Sequence, residues 1–173
     1  AHVALGGGSG IVPLVFFYRR CAVSPCPPRG EWPGAREAVP WRLILGTRTA
    51  AQFPKDEIVA TPGQLIRATD DGSAGFHGTV VEALQALLDG ELQGKRAGIY
   101  AAGPEAMLRA AARLARARGL PCRVSLEQRM ACGVGVCRAC VVDGAAPHPK
   151  TGLRRRTVCQ DGPVFDIEEL AGW

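Results

Sequence analysis

Cysteine is the residue type whose spacing in this chain most directly implies chemistry. Cys132, Cys137 and Cys140 stand in the pattern Cys-x4-Cys-x2-Cys, and Cys159 follows further on. This is the plant-type ferredoxin spacing, in which four thiolates hold a [2Fe–2S] cluster. Three thiolates that must converge on two irons within a few residues force the loop to wrap tightly. Gly133 and Gly135 permit backbone angles that other residues resist and let amides approach bridging sulfides. Val134, Val136 and Ala139 are expected to limit water there, and Cys159 is expected to arrive on a separate strand. Thiolates, being soft ligands, select iron–sulfur or zinc over harder metals. A zinc ribbon would offer two Cys-x2-Cys knuckles, and only Cys137 and Cys140 form one, so zinc is the weaker reading. A Rieske centre would need two histidine ligands, and His2, His77 and His148 all lie outside the cysteine loop. Cys21 and Cys26 are joined by no further pair and prolines crowd them, while Cys122 reads as a buried apolar residue. The chemistry implied is outer-sphere electron transfer, with no acid–base residue required.

A second constellation carries glycine. Gly6, Gly7, Gly8, Ser9 and Gly10 follow an apolar run and open a helical one. Backbone amides at such a turn, with the positive end of a helix behind them, suit a pyrophosphate. The run is not G-x-G-x-x-G and is weak evidence alone. Gly103 and Pro104 again stand between a strand and a helix start, and ligands bind at such strand ends in parallel sheets. Two loops of this kind predict a dinucleotide crevice. Asp70 and Asp71, at the end of a third strand, offer a carboxylate for a ribose hydroxyl, although a solvated turn explains them nearly as well.

The elements that must position these residues follow from periodicity. Strands are expected at 2–5, 41–45, 64–69, 96–101 and 123–126, and helices at 11–20, 79–88 and 104–118. Strands alternating with helices predict a parallel sheet covered on both faces. The stretch 24–40 carries five prolines and reads as a surface insertion. From residue 127 helical periodicity stops and short β-like runs appear at 139–142 and 157–159. The expected division is an α/β nucleotide-binding domain at 1–126 and a small β-rich cluster domain at 127–173.

Composition is that of a globular protein: 173 residues, 47% hydrophobic and 21% charged. The apolar run 11–18 is too short to span a bilayer and lacks a basic leader or cleavage site, so a cytoplasmic address is the default. Net charge is +5, with a pI near 9.0. The arginines, including Arg154, Arg155 and Arg156, have no interleaved aromatic residues, which disfavours a platform for nucleic acid. The remaining reading of another class is a zinc-stabilised binding module using this basic surface.

Together these segments resemble the electron-transfer subunit of type B dihydroorotate dehydrogenase, within the ferredoxin–NADP reductase-like flavoproteins. The resemblance runs from Val3 to Leu170 apart from the proline-rich stretch. It rests on GGGSGIVPL, LGTRT, ATDDGSAGFHGTV and AAGPEAML, and most specifically on VSLEQRMACGVGVCRACVV and VCQDGPVF. It implies a relay in pyrimidine biosynthesis: an FMN-containing dehydrogenase partner, assembled as a heterotetramer, passes electrons through the [2Fe–2S] cluster to FAD and on to NAD+. Related subunits of sulfide dehydrogenases and ferredoxin:NADP oxidoreductases are the alternative, and they often carry Asp where Cys132 stands. Three departures are visible. The chain opens at the first nucleotide-domain strand, without a starting Met or the FAD-binding barrel. Ala102 replaces the family's usual Cys, and the span from Cys140 to Cys159 is longer than usual. Arg48 could meet a 2′-phosphate, whereas the resemblance implies NAD.

Overall fold

The computed structural model describes residues 1–23, 41–54 and 64–173. The proline-rich stretch 24–40, with Cys26, lies outside these residues.

Apolar runs make the central strands. β1 (His2–Gly7), β2 (Trp41–Thr47) and β5 (Gly98–Ala102) are buried along nearly their whole length, as expected of parallel strands covered on both faces. With β3 (Leu65–Thr69), β4 (Phe76–His77), β6 (Cys122–Ser125) and β9 (Val164–Asp166) they form one sheet. Its order is β4-β3-β2-β1-β5-β6-β9. Every pairing is parallel except β6 with β9.

Alternation along the strands assigns the helices to faces. Ala4, Leu43 and Leu45 share a core with Ile11, Leu14, Val15 and Tyr18 of α1 (Ile11–Val23). Val3, Leu5 and Ile44 point the other way, into a core with α2 (Val80–Asp89) and α3 (Glu105–Ala117). α2 begins in a capping box: the Glu82 amide donates to Thr79 Oγ1 at 3.2 Å, and the Thr79 amide donates to the Glu82 carboxylate at 2.7 Å. α3 starts after Pro104 and stops before Gly119, whose φ is 60°.

The remaining chain forms a two-stranded antiparallel sheet of β7 (Val141–Asp143) and β8 (Arg155–Thr157), followed by a single helical turn, α4 (Val158–Asp161). One expectation changes: residues 158 and 159 belong to α4 rather than to a strand. The chain beyond residue 126 packs against the sheet's edge. β9 returns to pair with β6, and Phe165, Ile167 and Leu170 pack in the same cluster as Leu108 and Val124. The apolar residues of the C-terminal arm are too few to bury each other, so they borrow the sheet's edge.

Among the described residues no helix is long and apolar enough to cross a membrane.

Candidate metal centre

β6 delivers the chain into an irregular loop that carries three of the four candidate ligands. Gly133 and Gly135 take positive φ, 68° and 78°, and Arg138 does so at 55°. A Cβ on Gly135 would stand 2.7 Å from Gln160 Cγ, so the loop lies directly against α4.

The wrapped backbone turns its amides toward sulfur. Val134 and Cys137 amides each donate to Cys132 Sγ at 3.4 Å, the Ala139 amide to Cys137 Sγ at 3.4 Å, and the Cys159 amide to Cys140 Sγ at 3.5 Å. The four thiols form two adjacent pairs. Cys137 lies beside Cys132 and Cys159 beside Cys140, each close enough to influence its neighbour's ionisation, and Cys159 also lies within electrostatic reach of Cys132. Among the described residues no three His, Cys, Asp or Glu side chains gather tightly enough to share one ion. Two thiol pairs with inward-facing amides are a donor set that fits a two-iron centre taking two thiolates at each iron.

These contacts set thiol acidity. Amides of Cys137 and then Val134 push the Cys132 thiol down to about 6, because they stabilise its thiolate. The Cys159 amide holds Cys140 below the ordinary thiol range despite its burial, and Cys159 is raised by the neighbouring Cys140 sulfur and by burial. Cys122 is 0% exposed, and burial, then the Asp166 charge, pushes its thiol up to about 12. A depressed folded pKa means that the thiolate and its amide bonds persist above that pKa and are lost as pH falls through about 6. In the metal-free chain, iodoacetamide should therefore alkylate Cys132 close to its plateau rate at about pH 7 and at half that rate near pH 6. Cys122 should stay unmodified throughout. A Cys132 profile centred near the free-thiol value of about 8.5 would contradict the amide contacts.

The expected water-excluding role of Val134, Val136 and Ala139 is not met. Val134 and Val136 are 62% and 81% exposed, and Ala139 is exposed too. A loop that directs its amides inward has to send these side chains outward.

The two glycine loops do meet, at the point where strand order reverses between β1 and β5. A Cβ on Gly10 would fall 2.2 Å from the Ala102 carbonyl carbon and oxygen, and one on Gly103 would fall 2.8 Å from the Gly7 carbonyl oxygen. Gly7 and Gly10 are thus brought against Gly103 and Pro104, Gly6 pairs with Ala102 in the sheet, and a Cβ on Gly8 would meet nothing within 4 Å. Asp71 is not brought to them. It follows β3, which β2 separates from β1, and its Oδ1 accepts from the Ser73 amide at 2.9 Å and hydroxyl at 2.6 Å. Those two bonds, hydroxyl first, lower its carboxyl pKa.

Sequence reasoning missed Glu127. Its Oε1 accepts from Ser9 Oγ at 3.1 Å, tying the first glycine loop to the arm that leads into the cysteines. The signal available was its place just beyond a strand end on the β5–β6 side. Glu127, Gly103, Pro104, Arg109 and Trp173 line a cavity of about 370 Å³, and in its wall the Arg109 guanidinium lies 4.5 Å from the centre of the Trp173 ring.

A mostly parallel nucleotide-type sheet whose edge carries a cysteine-wrapped loop is an α/β fold of the ferredoxin–NADP reductase-like kind. The chain superimposes on the solved structure of an NADH-dependent reduced ferredoxin–NADP oxidoreductase, studied for flavin-based electron bifurcation. The TM-score is 0.63 and the identity 27%, over 97% of this chain and 53% of that one. Residues 127–171 match the family model for the iron–sulfur cluster binding domain of dihydroorotate dehydrogenase B. The dihydroorotate dehydrogenase B (NAD+) electron transfer subunits of Geobacillus thermodenitrificans and Bacillus caldolyticus are 36% and 35% identical to it, over 96% of this chain and 55% of their own length. Over 96% of its length the chain is thus similar to electron-transfer subunits of dihydroorotate dehydrogenase B, and it spans about half the length of the curated relatives it matches.

Proposed function

We propose that Cys132, Cys137, Cys140 and Cys159 hold a [2Fe–2S] cluster, and that the chain is the NAD-binding and cluster-bearing part of an electron-transfer subunit. Its partner is an FMN-containing dihydroorotate dehydrogenase, with which it forms a heterotetramer in the cytoplasm. Electrons from dihydroorotate reach NAD+ by way of the cluster and an FAD. The carrying observation is the arrangement of four thiols in two adjacent pairs with four backbone amides aimed at three of the sulfurs.

The cluster, when bound, supplies a one-electron carrier. The chain's own residues supply the environment. The amides of Val134, Cys137, Ala139 and Cys159 stabilise negative charge on sulfur and so favour the reduced form. The exposed Met130, Val134 and Val136 give a partner an apolar seat beside the cysteine loop. Gly7, Gly8, Ser9, Gly10, Gly103 and Pro104 receive the dinucleotide at the switch point. Asp71 is left out of this assignment because its turn already uses one carboxylate oxygen.

The partner assignment is tested anaerobically with the cluster-loaded chain and the FMN-bearing dehydrogenase. Dihydroorotate should bleach the chain's visible bands as fully as dithionite does. Bleaching by dithionite but not by dihydroorotate would leave the cluster standing and overturn the partner. The similarity to the ferredoxin–NADP oxidoreductase structure supports the second reading, in which reduced ferredoxin, offered in the same assay, would bleach the bands instead.

A further inference from the structure

The connection between β7 and β8, residues 144–154, is far longer than the 2–5 residues usual for a hairpin. A loop of that length needs anchors to be ordered, and here it has them. At its base the Gly144 amide donates to the Arg154 carbonyl at 3.2 Å, and Arg154 Nη1 donates to the Ala145 carbonyl at 2.9 Å. At its tip the chain folds around His148. The His148 amide donates to the Leu153 carbonyl at 2.8 Å, and the Gly152 amide donates to the His148 carbonyl at 2.8 Å.

The His148 ring is mostly enclosed, with its side chain 14% exposed, and both ring nitrogens are engaged. The Lys150 amide donates to Nδ1 at 3.1 Å. Because that lone pair is taken, Nε2 carries a proton, and it faces Asp161 Oδ1 at 3.2 Å. The other carboxylate oxygen, Oδ2, accepts from the Thr157 amide at 2.6 Å and from its hydroxyl at 3.0 Å. Asp161 is thereby bonded at both ends of its carboxylate, once to the start of its own helical turn and once to the loop.

That turn is α4, Val158–Asp161, and Cys159 sits inside it. A single isolated turn has no stability of its own, since nucleation fixes several residues for one hydrogen bond. α4 is held from one side by the Val158 amide, which donates to the Cys140 carbonyl at 3.0 Å. The Thr157–Asp161–His148 chain holds it from the other. We propose that His148 is a positioning residue for the fourth sulfur: its Nε2–H bond to Asp161 locks α4 so that Cys159 stays paired with Cys140. The long loop is then the strut that carries this histidine. This inference rests on the cluster reading, and it adds a residue outside the cysteines whose loss should loosen one ligand.

The test uses the full chain loaded with iron and sulfide, comparing wild type, His148→Ala and His148→Gln. The glutamine amide can put an N–H near the position of Nε2 and keep the bond to Asp161. Partners that orient metal ligands typically change metal retention by about 10–100-fold. His148→Ala should accordingly release iron to a ferrous chelator on the order of tenfold faster and shift the EPR g-values of the reduced form. His148→Gln should retain the wild-type rate and spectrum. Wild-type release and spectrum in His148→Ala, or a His148→Gln variant as labile as His148→Ala, would overturn the proposal. If the wild-type chain itself fails to take up two irons, the cluster reading has failed and this inference falls with it. Uptake by wild type without an effect of His148 defeats the inference alone.

Discussion

Cys137→Ser should leave a folded chain that no longer retains a two-iron centre. The side chain is exposed, and its sulfur accepts one amide bond, from Ala139 at 3.4 Å. In the metal-free protein the change should therefore cost no more than about 0.5 kcal/mol. The cluster is another matter. A serine hydroxyl is a harder, far less acidic donor than a thiol, and its substitution breaks the Cys132–Cys137 pair at one iron. Iron retention should fall by at least the ~10–100-fold typical of mere outer-shell changes, and the visible bands should vanish. Far-UV circular dichroism should still report the α/β sheet, because none of its strands contains Cys137. Iron and sulfide counts equal to wild type, with unchanged visible absorption, would remove Cys137 from the ligand set.

The second large effect lies at the other site. Gly10→Ala would place a methyl group 2.2 Å from the carbonyl carbon and oxygen of Ala102 and 2.4 Å from the Gly103 nitrogen. All three are backbone atoms of the β5 end, so no side chain can swing aside. The two glycine loops would have to part. Overpacking of this kind costs about 3 kcal/mol or more, and it opens the crevice in which the dinucleotide is proposed to sit. Gly8→Ala is the matched control. Gly8 has φ 54° and nothing within 4 Å of an added Cβ, so it should pay only the left-handed backbone penalty of about 1–2 kcal/mol. Urea unfolding midpoints at constant slope measure the difference. Equal losses in the two variants would show that the loops do not pack as described.

What was legible in the sequence was what local spacing decides. The cysteine loop is such a case: its glycines at 133 and 135 do take positive φ. The buried strands β1, β2 and β5 announce themselves as continuous apolar runs, since a central parallel strand needs nothing else. Tertiary choices were not legible. β4 is two residues long and β9 three, too short for any period, and each exists because an edge strand was there to pair with. The 158–159 region looked extended because Val158 and Thr157 favour strands, yet α4 forms there once Asp161 bonds back to Thr157. Ser9 and Glu127 are 118 positions apart, and only the fold of the whole sheet brings them together. By residue type Val134 and Val136 would limit water at the cluster, but in a loop whose backbone faces the sulfurs their side chains have only the outside to occupy. Asp71 was assigned by strand position, and its own turn claimed it first.

Electron transfer through this chain depends on four sulfurs enclosing one two-iron centre. Iron and acid-labile sulfide counted per chain, alongside an EPR spectrum of the dithionite-reduced protein, test this most directly. Two irons and two sulfides per chain, with a rhombic signal integrating to one spin, are the predicted result. A colourless, EPR-silent chain holding one zinc would contradict the account.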